Sequence, residues 1–357
     1  MSFSDILTRP RDGWMDGSGP VANIALSSRV RLARNIDALP LPHIAGDEPG
    51  EKILAIARNA VADLKRRGTV GPLDFVLLSE ISPLERQLLV EKHLISPALL
   101  QSSSRSAVAV NQEGTVSIMV NEEDHLRVQC LQSGLQPEEA WQTCSLIDDA
   151  LEEKIDYAFD AEIGYLTACP TNVGTGIRAS VMLHLPALVL IGQAGRVLGP
   201  VGQLGLAVRG LYGEGTEVSG NIFQVSNQIT LGHTEEEIIE NLVGVTQQII
   251  EQENAARQAL LQSGRLKLED RVWRSYGILS RARILSSAEA MRLFSDIRLG
   301  MDLDLIPDVS LTTLNEMLVL IGSAYLQKTA GVQMTSADRD VRRAAVVREK
   351  LAENKKA

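Results

Sequence analysis

Aromatic residues make up only 4% of the 357 positions, a scarcity that argues against a surface built to stack unpaired nucleic-acid bases. Cysteine is nearly absent. Cys130, Cys144 and Cys169 form an odd, sparse set rather than a disulfide framework, so a reducing compartment and a cytoplasmic location are expected. Five histidines (His43, His93, His125, His184 and His233) lie without metal-ligand spacing, and no Cys-x-x-Cys pair exists. No structural zinc site is expected, and no protein ligand for a metal can be named. The opening Met1-Ser2-Phe3-Ser4-Asp5 lacks the basic and apolar regions of a signal peptide, so none is expected. The most apolar stretch, Val181 to Ile191, is broken by His184 and Pro186. It falls far short of the ~20 residues that cross a bilayer, so no membrane contact is expected. Gly-Lys-Ser/Thr occurs nowhere, which excludes a Walker loop.

What is present is an ordinary globular balance, 45% apolar and 22% charged, enough for a substantial core and for about two domains. The net charge of −10 is uneven. From Arg265 onward there are 16 basic and 12 acidic residues, so the acidity belongs to the first part of the chain. Glycines and strand-like runs fill the sequence before about 255, and helical patterns follow. The expected division is an α+β domain over 1–255 and a helical C-terminal domain over 256–357. Ile53, Leu54, Ile56, Ala57, Ala60, Val61 and Leu64 recur at helical spacing before a stop at Gly68. Ser82-Pro83-Leu84-Glu85 reads as a capping box, and Thr234 with Glu237 as another opening a long helix. Strands are expected at Phe75–Leu78, Ala107–Val110, Ser117–Val120, Gly164–Ala168, Leu206–Arg209 and Asn221–Ser226. Their short, mixed connections predict an antiparallel or mixed sheet with flanking helices.

Five segments combine strand-end placement with unusual polarity: Ser27 to Arg31, Asn121 to Arg127, Cys169 to Ser180, Arg209 to Glu217, and Arg339 to Ala344. Arg29 and Arg31 alternate on an expected strand and so share a face. Arg127, Arg178 and Arg209 each adjoin a strand or a Gly-rich turn. Any one arginine alone reads as a surface ion pair. Five of them on short rigid elements of an acidic domain read as an anion site, because the planar guanidinium keeps its charge and grips phosphate. Gly174-Thr175-Gly176-Ile177-Arg178-Ala179 matches a dinucleotide loop, but no carboxylate stands ~20 positions on, and a nicotinamide cofactor is rejected. Glu122-Glu123-Asp124 puts three acids at a strand boundary, and Glu214 lies between two glycines. A solvated turn is the plain reading of each. A guanidinium acceptor would need them, since its pKa exceeds ~12 and it must lose a proton while its nitrogen attacks. Cys130 and Cys144 read as core. Cys169, beside the glycine run, reads as an inert buried cysteine or as a thiolate stabilised by cations.

The segments around Ser27, Asn121 and Cys169, taken with Arg209-Gly210-Leu211-Tyr212-Gly213-Glu214 and Arg339-Asp340-x-x-Arg343-Ala344, resemble the phosphagen (guanidino) kinases, and among them the bacterial protein arginine kinase branch. The resemblance runs from about Asn23 to Asn254. It implies a phosphagen-kinase catalytic domain followed by a helical one. It implies that Ser27, Ser28, Arg29, Val30, Arg31, His93, Arg127, Arg178, Ala179, Ser180, Val181, Met182, Arg209, Gly210, Leu211, Tyr212, Gly213 and Glu214 bind ATP, with Mg2+. Glu123 would be the catalytic base beside Glu122, Glu214 the second carboxylate on the guanidinium, and Cys169 the active-site cysteine. Arg339, Asp340, Arg343 and Ala344 would form a regulatory phosphoarginine pocket. Met182 stands where small-substrate kinases usually have His. Only 26 residues precede Ser27, so the helical N-terminal lid of small-substrate kinases is not expected, and an arginine displayed on a protein is the expected acceptor. The resemblance also implies a Clp-type protease and a zinc-binding activator as partners, a role in the heat-shock response, and a homodimer. A kinase of free arginine or another small guanidino compound, or a catalytically dead phosphoarginine-binding adaptor, are the competing readings.

Overall fold

A computed structural model describes residues 3–68, 70–100, 105–210, 219–306 and 309–353. Among them ten strands and eleven α-helices follow in chain order. The strands are β1 (Ala25–Arg34), β2 (Leu73–Leu77), β3 (Ala107–Asn111), β4 (Val116–Val120), β5 (Leu126–Ser133), β6 (Phe159–Asp160), β7 (Gly164–Tyr165), β8 (Ile177–His184), β9 (Leu206–Gly210) and β10 (Ile222–Asn227). The helices are α1 (Phe3–Thr8), α2 (Asp47–Arg67), α3 (Pro83–Glu91), α4 (Pro137–Glu152), α5 (Pro186–Leu190), α6 (Ala194–Leu198), α7 (Glu235–Arg281), α8 (Ser287–Asp302), α9 (Leu311–Leu320), α10 (Ser323–Ala330) and α11 (Ser336–Glu353).

Eight strands form one sheet in the order β2-β3-β4-β5-β1-β8-β10-β9. Every pairing in it is antiparallel. The arginine-bearing β1 lies in its interior, fixed on one side by β5 and on the other by β8. Successive side chains on a strand point to opposite faces. One face of the central strands carries Val30, Leu32, Val128, Ala179, Val181 and Val225, all fully buried against α2, α4 and α7. Ile53, Ala57, Ala60, Val61 and Leu64 are the buried stripe of α2, and Gly68 caps it at φ 70°. A second core joins the N-terminal segment and α3 to α8, α9, α10 and α11.

Both expected capping boxes form. Ser82 Oγ accepts from Glu85 N at 3.3 Å while Glu85 accepts from Ser82 N at 2.8 Å, and Thr234 and Glu237 do the same at 3.2 and 3.1 Å. α7 continues through residue 255 and is interrupted only at Gly264, which has φ −157° and ψ 29°. The strand expected over Gly164–Ala168 is shorter, since only Gly164–Tyr165 pairs. Side chains take the backbone beyond it: Asn35 Nδ2 donates to Leu166 O at 2.9 Å, and Ala168 N donates to Asp124 at 2.7 Å. No described helix is long and apolar enough to cross a membrane.

Candidate active site

The other face of the sheet is polar. Residues aligned across antiparallel strands share a face, so the register sets Ser27, Arg29, Arg31 and Ala33 of β1 beside Arg127, Gln129 and Leu131 of β5 and Arg178, Ser180 and Met182 of β8. Gln224 on β10 and Arg209 on β9 extend the same row. From Ser27 to Ala33 the lane is roughly 20 Å long at about 3.4 Å per residue. A cleft of about 690 Å³ opens over its far half, lined by Arg31, Glu123, Arg127, Cys169, Arg178 and Arg209 together with Thr171, Asn172 and Gly176.

The cations crowd one another. Burial, then the charges of Arg127 and Arg178, push the Arg29 guanidinium down to about 10. Burial and Arg29, Arg127 and Arg178 hold Arg31 well below the usual arginine range. Like charges are thus packed together, and a polyanion placed among them would relieve their repulsion. Arg29 Nη2 donates to Gln224 Oε1 at 3.2 Å, which fixes its fork over the lane.

The two carboxylates at the β4–β5 turn separate into different roles. Glu122 is buried, accepts from Ser96 Oγ, and pairs with Arg127, which donates to it at 2.7 Å. Glu123 is half exposed, lines the cleft, and lies 3.2 Å from Arg127 Nη2. Glu122 therefore orients the arginine, and Glu123 is the group that faces the cleft. The turn is held rigidly. Asn121 adopts φ 55° and its N–H donates to His125 O at 3.0 Å. Asp124 accepts from Asn35 Nδ2 and from Ala168 N, both at 2.7 Å. His125 N donates to Asn35 Oδ1 at 2.9 Å. One buried carboxylate thus ties the acidic turn to the residue before Cys169.

Cys169 is half-buried, and its sulfur lies 3.0 Å from Thr171 Oγ1. The glycine run after it enters β8 rather than a helix, so the dinucleotide-loop context is missing. Gly176 has φ 68°, and a Cβ there would stand 2.7 Å from Ala33 O and 2.5 Å from Arg34, so only glycine fits. Arg34, buried and paired with Asp148 at 2.7 Å, donates to Thr175 O at 2.9 Å and pins the same turn to β1. Cys130 and Cys144 are buried, as expected.

Some expected nucleotide contacts cannot be made by side chains. Val30, Ala179 and Val181 point to the opposite face and are fully buried in the core. Ser28 does too: its Oγ donates to Gly134 O at 2.8 Å and accepts from Gln136 N at 2.9 Å. This is the period-two alternation of the strand, which a contiguous motif ignores. Leu211, Tyr212, Gly213 and Glu214 lie outside the described residues; Gly210 ends β9. His93 sits beyond the Arg29 end of the lane, at φ 60°, edge-on to Trp14 with ring centroids 5.7 Å apart. Burial and the charge of Arg29 push its imidazole down to about 4, so it is neutral at pH 7.

The expected regulatory residues lie on α11. Arg343 and Ala344 are buried, and Arg343 donates to Ile321 O at 2.9 Å, to Leu285 O at 2.8 Å and to Asp340. Arg343 is therefore a buried anchor that ties α11 to the α7–α8 and α9–α10 connections, and Asp340 is its partly exposed partner. Asp340 and Arg339 are half-buried, and Arg339 donates to Met334 O at 2.8 Å.

Sequence reasoning named Asp124 only as one of three acids at a strand boundary and gave no role to Asn35 or Gln224; all three act through long-range contacts that no local pattern announces.

This arrangement carries the charges that phosphoryl transfer to a guanidinium acceptor requires, and the comparisons with known proteins give the same class. Residues 52–256 match the model of the ATP:guanido phosphotransferase C-terminal catalytic domain, and the chain belongs to that family. Residues 265–357 match the protein-arginine kinase McsB C-terminal domain. The chain is 52% identical to the protein-arginine kinase of Symbiobacterium thermophilum, over 99% of this chain and 100% of that one. It is 55% identical to that of Moorella thermoacetica, over 95% and 97%. Among solved structures, lombricine kinase superposes with a TM-score of 0.57 at 26% identity, over 68% of this chain and 70% of that one. The protein is thus an ATP-dependent phosphotransferase of the protein-arginine kinase kind, with ATP as its family's phosphoryl donor.

Proposed function

We propose that this enzyme transfers the γ-phosphoryl group of Mg-ATP to an arginine side chain of another protein. The observation that carries the reading is the single cleft in which Arg31, Arg127, Arg178 and Arg209 face Glu123 and Cys169. In-line attack by a guanidinium nitrogen forms a P–N bond as the P–O bond to ADP breaks. The transition state spreads charge over the equatorial phosphoryl oxygens, so positioning and electrostatics dominate. The arginines neutralise that charge from fixed sheet positions. Glu123 takes the proton that the attacking nitrogen loses, while Glu122 keeps Arg127 aimed. Among the described residues no three His, Cys, Asp or Glu side chains gather as a metal site. Magnesium enters with the nucleotide as part of the substrate. The thiol of Cys169 lies at the acceptor side, where a cationic substrate would favour its thiolate.

The C-terminal module supports a further part of the reading. Asp340, at the buried junction with Arg343, would hold the guanidinium of a phosphoarginine and Arg339 its phosphate, activating the enzyme by its own product. Phosphorylated proteins would pass to a Clp-type protease in a heat-shock response in the cytoplasm, with a zinc-binding activator protein and a homodimeric enzyme. The decisive experiment supplies labelled ATP with an arginine-rich protein or with free arginine. Acid-labile label on the protein is expected, with little on the free amino acid. Transfer to free arginine alone refutes the protein-acceptor reading.

A further inference from the structure

We propose that Ser96 is a positioning residue for the transfer reaction, and that the segment from Glu91 to Ser96 couples the aim of Arg127 to α10 and to the Asp340–Arg343 pair of the C-terminal module. The coupling rests on the reading of Asp340 as the place where phosphoarginine binds, and it supplies the route from there to the cleft.

At the cleft end, Glu122 orients Arg127 and is itself buried. A buried carboxylate needs donors around it, because an unsatisfied charge carries a large desolvation cost. Ser96 Oγ is one of them. It donates to Glu122 Oε1 while accepting from Leu99 N at 3.3 Å, which fixes its hydroxyl oxygen. Ser96 does not line the cleft, so it acts on the reaction only through Glu122 and Arg127. Between Ser96 and Glu91 the segment is packed throughout. Lys92 is fully buried, 2.8 Å from Asp12. Leu94 and Ile95 are buried, and His93 O accepts from Gln129 of β5 at 2.8 Å. A displacement of one end is passed on rather than absorbed, since coupling is carried by contiguous packed and hydrogen-bonded elements.

At the other end stands a helix that does not cap itself. The N-cap residue of α10 is Gly322, which has no side chain to accept the first N–H groups. Glu91, the last residue of α3, does so across 233 positions of sequence: Ala324 N donates to its Oε1 at 2.8 Å, and Tyr325 N donates to its Oε2 at 3.1 Å. A carboxylate placed here satisfies orphan donors and faces the positive end of the helix dipole. A Cβ on Gly322 would lie 2.3 Å from Glu91 Oε2, so only glycine lets the carboxylate sit this close. Earlier on α3, Glu85 adds a 2.8 Å pair with Lys328 of α10. The two helices are thus fastened together. Burial raises the Glu91 carboxyl above its ordinary range, and the α10 N–H groups and Arg343 pull it back down. Arg343 also donates to the carbonyl of Ile321, the residue before Gly322, and to Asp340. A guanidinium taken up by Asp340 competes with Arg343 for that carboxylate. A shift of Arg343 then bears on Ile321, on the start of α10 and on Glu91.

The test measures single-turnover transfer to an arginine-bearing protein at saturating ATP, with and without added phosphoarginine, and titrates each ligand separately. Ser96→Ala should slow transfer about tenfold, the size of one hydrogen bond to a charged group, with ATP affinity within about twofold of wild type because Arg29, Arg31, Arg178 and Arg209 are untouched. Ser96→Thr keeps the hydroxyl and should restore most of the rate. Glu91→Gln keeps an oxygen for α10 and removes the charge. It should bind phosphoarginine within about threefold of wild type and retain less than about half of the rate gain that phosphoarginine gives. A Ser96→Ala rate within about twofold of wild type, a loss that shows only in ATP affinity, or a Ser96→Thr variant no better than Ser96→Ala overturns the positioning role. If the wild type neither binds nor responds to phosphoarginine, the reading of Asp340 fails and the coupling goes with it. An undiminished response in Glu91→Gln, with the wild type responding, removes the coupling alone.

Discussion

Replacing Glu123 by Gln isolates the proton transfer from everything else the cleft does. The side chain is 45% exposed, and its contact with Arg127 is a 3.2 Å surface pair. Such pairs are worth about 0.2–1 kcal/mol, and Arg127 keeps its buried partner Glu122. The fold should therefore lose no more than that. Nucleotide binding should hold or improve. A carboxylate about 8 Å from a phosphate charge repels it by about 0.5 kcal/mol at bulk dielectric and about 2 kcal/mol at an effective dielectric of 20. The chemical step should suffer, because a positioned general base contributes about 10²–10⁴-fold, or about 3–5 kcal/mol of barrier. Single-turnover transfer of labelled phosphate to an arginine-bearing protein, with ATP affinity measured separately by titration, gives both numbers. The expected result is a rate down by at least a hundredfold with ATP bound as tightly as before or more tightly. A rate within tenfold of wild type removes Glu123 from the base role, as does a loss that shows only in ATP affinity.

Four further outcomes follow from the same geometry. Glu122→Gln strips one partner from a buried pair and should cost about 3–5 kcal/mol in urea unfolding; a cost below 1 kcal/mol would show that Arg127 is held by other means. Cys169→Ser should slow transfer less than Glu123→Gln, since the thiol faces the acceptor without holding a phosphate. Equal losses in the two variants would make the cysteine as necessary as the carboxylate. His93 has its proton affinity depressed from 6.5 to about 4 by burial and by Arg29, so the unfolded chain binds the proton first as pH falls. The stability it contributes is therefore present above about 6.5 and lost on the way down to about 4. His93→Gln should flatten that part of the stability–pH curve, and an unchanged curve would rule this residue out as its cause. Asp340→Ala should abolish activation by added phosphoarginine; activation that survives the change would sink the regulatory pocket.

Arg29, Arg31, Arg127 and Arg178 could be picked out along the chain, because each lies in a short segment whose polarity contradicts its strand-like surroundings, whereas Glu123 and Cys169 took their roles from the family resemblance. Chemistry of that kind is local and can be read along the chain. The same contiguity misled at Ser28, Val30, Ala179 and Val181. A strand turns alternate side chains away, so half of any strand motif faces the core. The reach of β7 was misjudged because Asp124 and Asn35, distant in sequence, take the hydrogen bonds that would have continued it.

The amino-acid order by itself determined the helix starts at Ser82 and Thr234, the inert character of Cys130 and Cys144, and the residue types able to handle a polyphosphate and a guanidinium. These depend on neighbours a few positions away. Only the folded chain decided that Glu122 serves Arg127 while Glu123 faces the cleft, and that Asp124 couples the acidic turn to the cysteine loop. Each of those depends on the register of β1 between β5 and β8. Pairings of that range are fixed by burial of the whole sheet, not by any stretch of it.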